Sequence, residues 1–80
     1  MRLMEKRLSQ LKPGEKGTIV RVKGGALGKR LSDMGVVRGT LVEVVRVAPL
    51  GDPIEVEIKG YKMVLRNEDA GEVQVCVLGV

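Results

Sequence analysis

The stretch Lys23 to Gly35, KGGALGKRLSDMG, gathers the residue types in this chain that most invite chemistry. Glycines ahead of a lysine suggest a phosphate cradle, in which backbone N–H groups and an ammonium share the anion. A Walker-type loop requires a glycine, four intervening residues, then Gly-Lys-Ser/Thr. Here Gly24 is followed by three residues and then Gly28-Lys29-Arg30. The spacing is one residue short, and Arg30 stands where a hydroxyl would hold magnesium. No parallel βαβ pattern surrounds it, so nucleotide chemistry is set aside.

Metal and catalytic readings fare no better. The sequence has no histidine and one cysteine, Cys76, so it cannot assemble a tetrahedral zinc site or a two-histidine iron site. Its carboxylates fall in two places: Glu55 and Glu57 on one strand face, and Glu68, Asp69 and Glu72 around one turn. Raising a carboxylate pKa for acid–base work takes burial or crowding, and alternation sends Glu55 and Glu57 into water. The acidic groups read as solvated surface. No Ser-His, Cys-His or lysine-based nucleophile pair can be assembled, and Cys76 alternates with inward valines. The expectation is a protein that is not an enzyme, with no catalytic residues, no cofactor and no metal site.

What remains for the opening stretch is structural. Leu27, Leu31 and Met34 fall at i, i+4 and i+7, which share one helix face, while Lys29, Arg30, Ser32 and Asp33 cover the rest. Gly35 follows as the residue suited to a left-handed helix stop. The expected helix runs from Ala26 to Met34, about two and a half turns at 3.6 residues per turn. It is too short to stand alone and must dock its apolar stripe.

The docking surface comes from strands. Before the helix, Thr18 to Lys23 alternates, with Val20 and Val22 on one face and Ile19 and Arg21 on the other. A single helical turn over Leu8 to Leu11 precedes it, packing Leu8 and Leu11. After the helix, Arg38-Gly39 makes a turn and Thr40 to Ala48 reads as a valine-rich strand. Pro49 to Pro53 is a loop. Ile54 to Lys59 alternates with Ile54, Val56 and Ile58 inward, and Gly60 turns the chain into Tyr61 to Arg66. Asn67 to Gly71 is a polar turn that can wind once as helix. Val73, Val75 and Val77 alternate in the last strand. The pattern implies an all-β fold: a small antiparallel barrel of about five strands, its edges closed, with one short helix after the first strand plugging an end.

Eighty residues suffice for one domain over 1–80, burying about 60% of the unfolded surface. A lone thiol suits a reducing compartment, and neither an apolar signal core nor a membrane-spanning run is present, so a cytoplasmic location is expected. Charge is uneven along the chain. Through Thr40 there are ten Lys/Arg and three Asp/Glu, and from Leu41 four and seven, giving +7 and −3. The basic half either attracts an anionic partner or interleaves with the acidic half once folded.

Two binding readings follow. GEKGTIVRVKGGALGK looks like the KOW strand-turn-strand element of small barrels that touch RNA, and basic residues flank its turn. Against nucleic acid stands the near absence of aromatic rings, Tyr61 being the one stacking platform.

The other reading rests on resemblance. Leu11-Lys12-Pro13-Gly14-Glu15, Arg30-Leu31 with Met34-Gly35, Arg38-Gly39-Thr40, the stretch Ala48 to Ile54, and Leu65-Arg66 with Asp69-Ala70 occur in an order and spacing that closely resemble the FeoA family of ferrous iron transport accessory proteins. That resemblance implies an SH3-like barrel in the cytoplasm that assists a FeoB-type membrane GTPase transporter at its cytosolic GTP-binding region, without inserting into the membrane. The expected partner-binding residues are Lys29, Arg30 and Asp33 on the helix surface and Leu50, Gly51 and Asp52 in the loop. Leu50 either meets a partner or folds back on the barrel, and the helix charges either orient a partner or serve solvation. Leftover apolar loop surface leaves homo-oligomerisation open.

Overall fold

The computed structural model describes residues 2–79; Met1 and Val80, the ends of the expected 1–80 domain, lie outside the described residues. The described residues form six strands and three short helical pieces. The strands are β1 (Arg2–Arg7), β2 (Lys16–Val22), β3 (Leu41–Val47), β4 (Ile54–Ile58), β5 (Tyr61–Leu65) and β6 (Val73–Gly79). Helix α1 spans Gly25–Asp33, α2 spans Asn67–Ala70, and a 3-10 turn covers Leu8–Gln10.

All strands join one antiparallel sheet in the order β1-β6-β2-β3-β4-β5. The sheet wraps a single apolar cluster. Its inner face supplies Ile19, Val42, Val44, Ile54, Val56, Ile58, Met63, Leu65, Val73 and Val75, and α1 adds Leu27 and Leu31. Leu8 and Leu11 fill the gap beside the 3-10 turn, as their spacing predicted. The expected alternation of β4 holds, with Ile54, Val56 and Ile58 at most 1% exposed.

Helix α1 ends as the sequence implied. Gly35 adopts φ 81, its N–H donates to the Ser32 carbonyl at 3.0 Å, and the Val36 N–H donates to the Leu31 carbonyl at 2.9 Å. This is a Schellman stop, and its accompanying hydrophobic contact is supplied by Leu31 and Val36, both in the core. Lys59 Nζ donates to the Gly35 carbonyl at 3.2 Å, tying the β4–β5 turn to the helix end.

Four expectations need correcting. The sheet has six strands, because RLMEKR forms β1 and pairs with β6 from Arg2↔Gly79 to Arg7↔Gln74. None of its side chains is buried, so nothing in its polarity marks it as a strand. The helix therefore follows the second strand, not the first. Val20 and Val22 do not share a simple alternating face with Ile19 opposite: a bulge between Ile19 and Arg21 shifts the β2–β6 register. Ile19 is the strand's buried apolar side chain, beside the buried Gly17, and Val22 packs against the core only after the shift. Finally, the ladder does not close on itself, since β1 and β5 are its two ends.

Gly17 shows how tightly β2 lies on β6. A Cβ built there would sit 3.0 Å from Val77 Cγ1, 3.1 Å from Val75 Cβ and 3.2 Å from the Cys76 carbonyl oxygen. A Gly17→Ala variant should lose about 1–3 kcal/mol through overpacking. Leu31, at 2% exposure, faces the core, and Leu31→Asp places an unpaired charge there. We expect that variant to be unfolded, because its cost matches the whole stability of a small domain, about 5 kcal/mol or more. Thermal melting by circular dichroism checks both; a wild-type midpoint in either contradicts the packing described.

Candidate docking site

The loop between β3 and β4 reads Ala48-Pro49-Leu50-Gly51-Asp52-Pro53. Its first four residues make a β-turn, in which the Gly51 N–H donates to the Ala48 carbonyl at 2.7 Å. Pro49 sits at the second position, where its fixed φ favours the turn. The Ala48 N–H donates to the Pro53 carbonyl at 3.0 Å and closes the loop at its base. Leu50 occupies the tip and is 96% exposed. It does not fold back onto the sheet.

The base of the loop is fastened to α2. Asp52 Oδ1 accepts from the Asn67 N–H at 3.0 Å, and Asn67 Nδ2 donates to the Gly51 carbonyl at 3.1 Å. Asp52 thus satisfies an N–H of the first turn of α2 from another part of the chain, which the helix's own flank leaves without a side-chain cap. Gly51 and Asp52, two of the residues expected to meet a partner, also fasten the base of the loop that carries Leu50. Beneath the tip lies an open groove of about 590 Å³, walled by Ala48, Pro49, Pro53 and Val64 and rimmed by Arg46 and Glu55. Arg46 and Glu55 pair across β3 and β4 at 3.2 Å.

Val64 escaped the sequence reading. Met63 and Leu65 are buried, whereas Val64 is 61% exposed on the opposite face of the same strand. An apolar residue on the outward phase of a strand was the available signal.

Lys29, Arg30 and Asp33 are exposed on α1, as the helical spacing required. They do not join the loop. The segment after α1 enters β3 at Leu41, and the loop leaves β3 after Val47, so the two groups attach to opposite ends of a strand about 20 Å long. Among the described residues, no hydrogen bond or ion pair connects them.

The charged halves of the sequence interleave on the sheet. Outward Lys16 stands opposite Glu43, which stands opposite Glu57, which stands opposite Lys62. Basic side chains cluster only modestly, with Arg7 and Arg21 flanking Gln74 across β1, β6 and β2. Among the described residues, no three His, Cys, Asp or Glu side chains are grouped to hold a metal ion. No helix of the structure is long and apolar enough to cross a membrane. What the site offers is an apolar tip, a groove and edge charges, which is equipment for docking.

Comparison with known proteins agrees with this geometry. The family model for the FeoA domain matches residues 6–77. A fusion of Fe(2+) transport protein A with the Fe(2+) transporter FeoB from Porphyromonas gingivalis is 46% identical over 70 residues, covering 86% of this chain and 8% of that much longer protein. The solution structure of FeoA from Chlorobium tepidum superposes with a TM-score of 0.83 at 40% identity, covering 92% of this chain and 71% of the other. The zinc complex of FeoA from Stenotrophomonas maltophilia, a prokaryotic SH3 domain protein, gives 0.74 at 29% identity, covering 85% and 86%. The curled sheet with its short helix is therefore SH3-like, as expected.

The bond from Asp52 to Asn67 yields a direct test. Asp52→Ala removes a capping acceptor and should cost about 1 kcal/mol of stability. An unchanged denaturation midpoint would mean that water replaces the carboxylate there at no cost.

Proposed function

The chain belongs to the FeoA family, and from that premise we propose that it is a small cytoplasmic accessory protein of ferrous iron uptake. In this reading it is a binding module that docks on the cytosolic GTP-binding region of a FeoB-type transporter and modulates it. The observation that carries the reading is the Porphyromonas gingivalis relative, in which a domain 46% identical to this chain shares one polypeptide with the transporter. Covalent fusion holds two modules at millimolar effective concentration when the linker spans their sites, roughly. A domain without such a tether supplies that proximity through its own surface.

The Pro49–Pro53 loop is the natural contact. Leu50 is held out by a closed turn that is itself fastened to α2, so little conformational freedom is lost when it inserts into a pocket. A buried apolar anchor ringed by polar groups is the usual energetic centre of such an interface. Arg46 and Glu55 at the groove rim supply orientation. Lys29, Arg30 and Asp33, at the far end of β3, serve as a second, electrostatic contact or as solvation. Iron is then the cargo of the partner, and this chain needs no ligands for it.

Leu50→Glu should weaken binding to the transporter's cytosolic domain by about tenfold or more, the equivalent of about 1.4 kcal/mol, while leaving the melting curve unchanged. Equal affinity, measured calorimetrically, removes the loop from the interface. Mixed RNA oligomers titrated across a salt series should bind weakly; tight binding with a steep salt slope would favour the nucleic-acid reading instead.

A further inference from the structure

We propose that β5 is a docking edge that accepts an extended segment of a partner protein as an additional strand, and that this segment carries acidic, apolar and acidic side chains at alternate positions. β5 ends the sheet. The β4–β5 turn consists of Lys59 at φ 53 and Gly60 at φ 81, a two-residue hairpin of the I′ kind. That turn makes Ile58↔Tyr61 a hydrogen-bonded pair, so alternation leaves Glu57↔Lys62 and Glu55↔Val64 as pairs without ladder bonds. The N–H and C=O groups of Lys62 and Val64 therefore point away from β4. Among the described residues, no turn or loop bond takes them up.

Sheet edges are normally blunted by proline, bulges, inward charge or edge lysines, and of these β5 carries one, Lys62. β5 has no proline, and its ladder with β4 runs from Ile54↔Leu65 to Ile58↔Tyr61 without a register shift. The strand is also anchored, since Met63 and Leu65 belong to the core. The opposite edge differs: β1 buries no side chain and carries Arg2, Glu5, Lys6 and Arg7. Of the two edges, β5 is the one stiff enough to template another strand.

Charge identifies the occupant. Outward along β5 stand Lys62, then Val64, then Arg66, whose backbone stays extended at φ −68 and ψ 148. Lys62 makes no ion pair among the described residues, and Arg66 has only the 3.6 Å contact with Asp69 at the surface. Across the sheet the outward row runs Lys16, Glu43, Glu57, Lys62, two carboxylates flanked by two ammonium groups, and it stops on the ammonium of Lys62. Cross-strand pairing on the next strand favours a carboxylate opposite Lys62, an apolar residue opposite Val64 and a carboxylate opposite Arg66. This arrangement is symmetric about Val64, so it suits a segment running in either direction. A nucleic-acid backbone fits less well, because phosphates offer no donors to the free carbonyls. A second copy of β5 would bring a further Lys62 and Arg66 into the same row.

Strand addition gains affinity from main-chain bonds and selectivity from alternate side chains. The proposal deepens the docking reading above and rests on it only for the partner's identity, so its test leaves the transporter out. A blocked peptide with the core Glu-Val-Val-Val-Glu is titrated into the isotopically labelled full chain, with Lys-Val-Val-Val-Lys as control. The expected result is slowed hydrogen exchange at the Lys62 and Val64 amides, and binding of the acidic peptide about tenfold tighter than the basic one. Val64→Pro deletes an outward N–H that the domain itself does not use, and should abolish the protection while keeping the fold. Should that variant fail to fold, Lys62→Glu replaces it and, with Arg66 left as the one cation of the row, is expected to abolish the preference for the acidic peptide. Equal binding of the two peptides, unchanged exchange at Lys62 and Val64, or amides already protected by self-association each overturn the proposal.

Discussion

The apolar stripe of α1 and the inner face of the sheet need each other, and every other feature follows from that mutual burial. A helix of nine residues cannot persist alone in water, and a curled valine sheet cannot stay dry at its open end. Leu27 and Leu31 meet both needs together. No aromatic side chain takes part in this core, so the packing is done by branched aliphatic groups, which lose little rotamer freedom in a strand. The Schellman stop at Gly35 then fixes where the chain leaves the helix and enters β3. Once β3 and β4 are in register, the intervening loop has only one place to stand.

Much of this was readable in residue order. Period-2 alternation revealed β4, and the change to helical spacing at Leu27 revealed α1. Gly35 and Pro49 announced the helix stop and the loop turn through backbone preferences that need no tertiary context. The rest was invisible for identifiable reasons. β1 is a strand by hydrogen bonding to β6 alone, so its hydrophobic pattern carries no trace of it. The bulge near Val20 inserts a residue and reverses the faces beyond it, which a uniform alternation cannot anticipate. Barrel closure was inferred from the need to protect edges, whereas the chain leaves two edges in place.

The site divides in the same way. Leu50 was legible because a proline-bounded turn lifts its middle residue away from the sheet. Asp52 and Asn67 lie fifteen residues apart and bond only because the β4–β5 hairpin returns the chain to its starting end. Sequence spacing says nothing about such a contact. The same return explains why Val64 lines the groove under Pro49. The charge asymmetry of the two halves dissolved on folding, because β2 from the basic half lies beside β3 from the acidic half. Linear charge segregation is no guide to a surface when neighbouring strands come from both halves.

Because β1 contributes no buried side chain, its separation from β6 costs hydrogen bonds and leaves the core intact. β3 and β4, lined by Val42, Val44, Val56 and Ile58, have no such freedom. Two tiers of cooperativity are therefore expected: a peripheral ribbon that opens by local fluctuation, and a nucleus whose amides exchange only when everything unfolds.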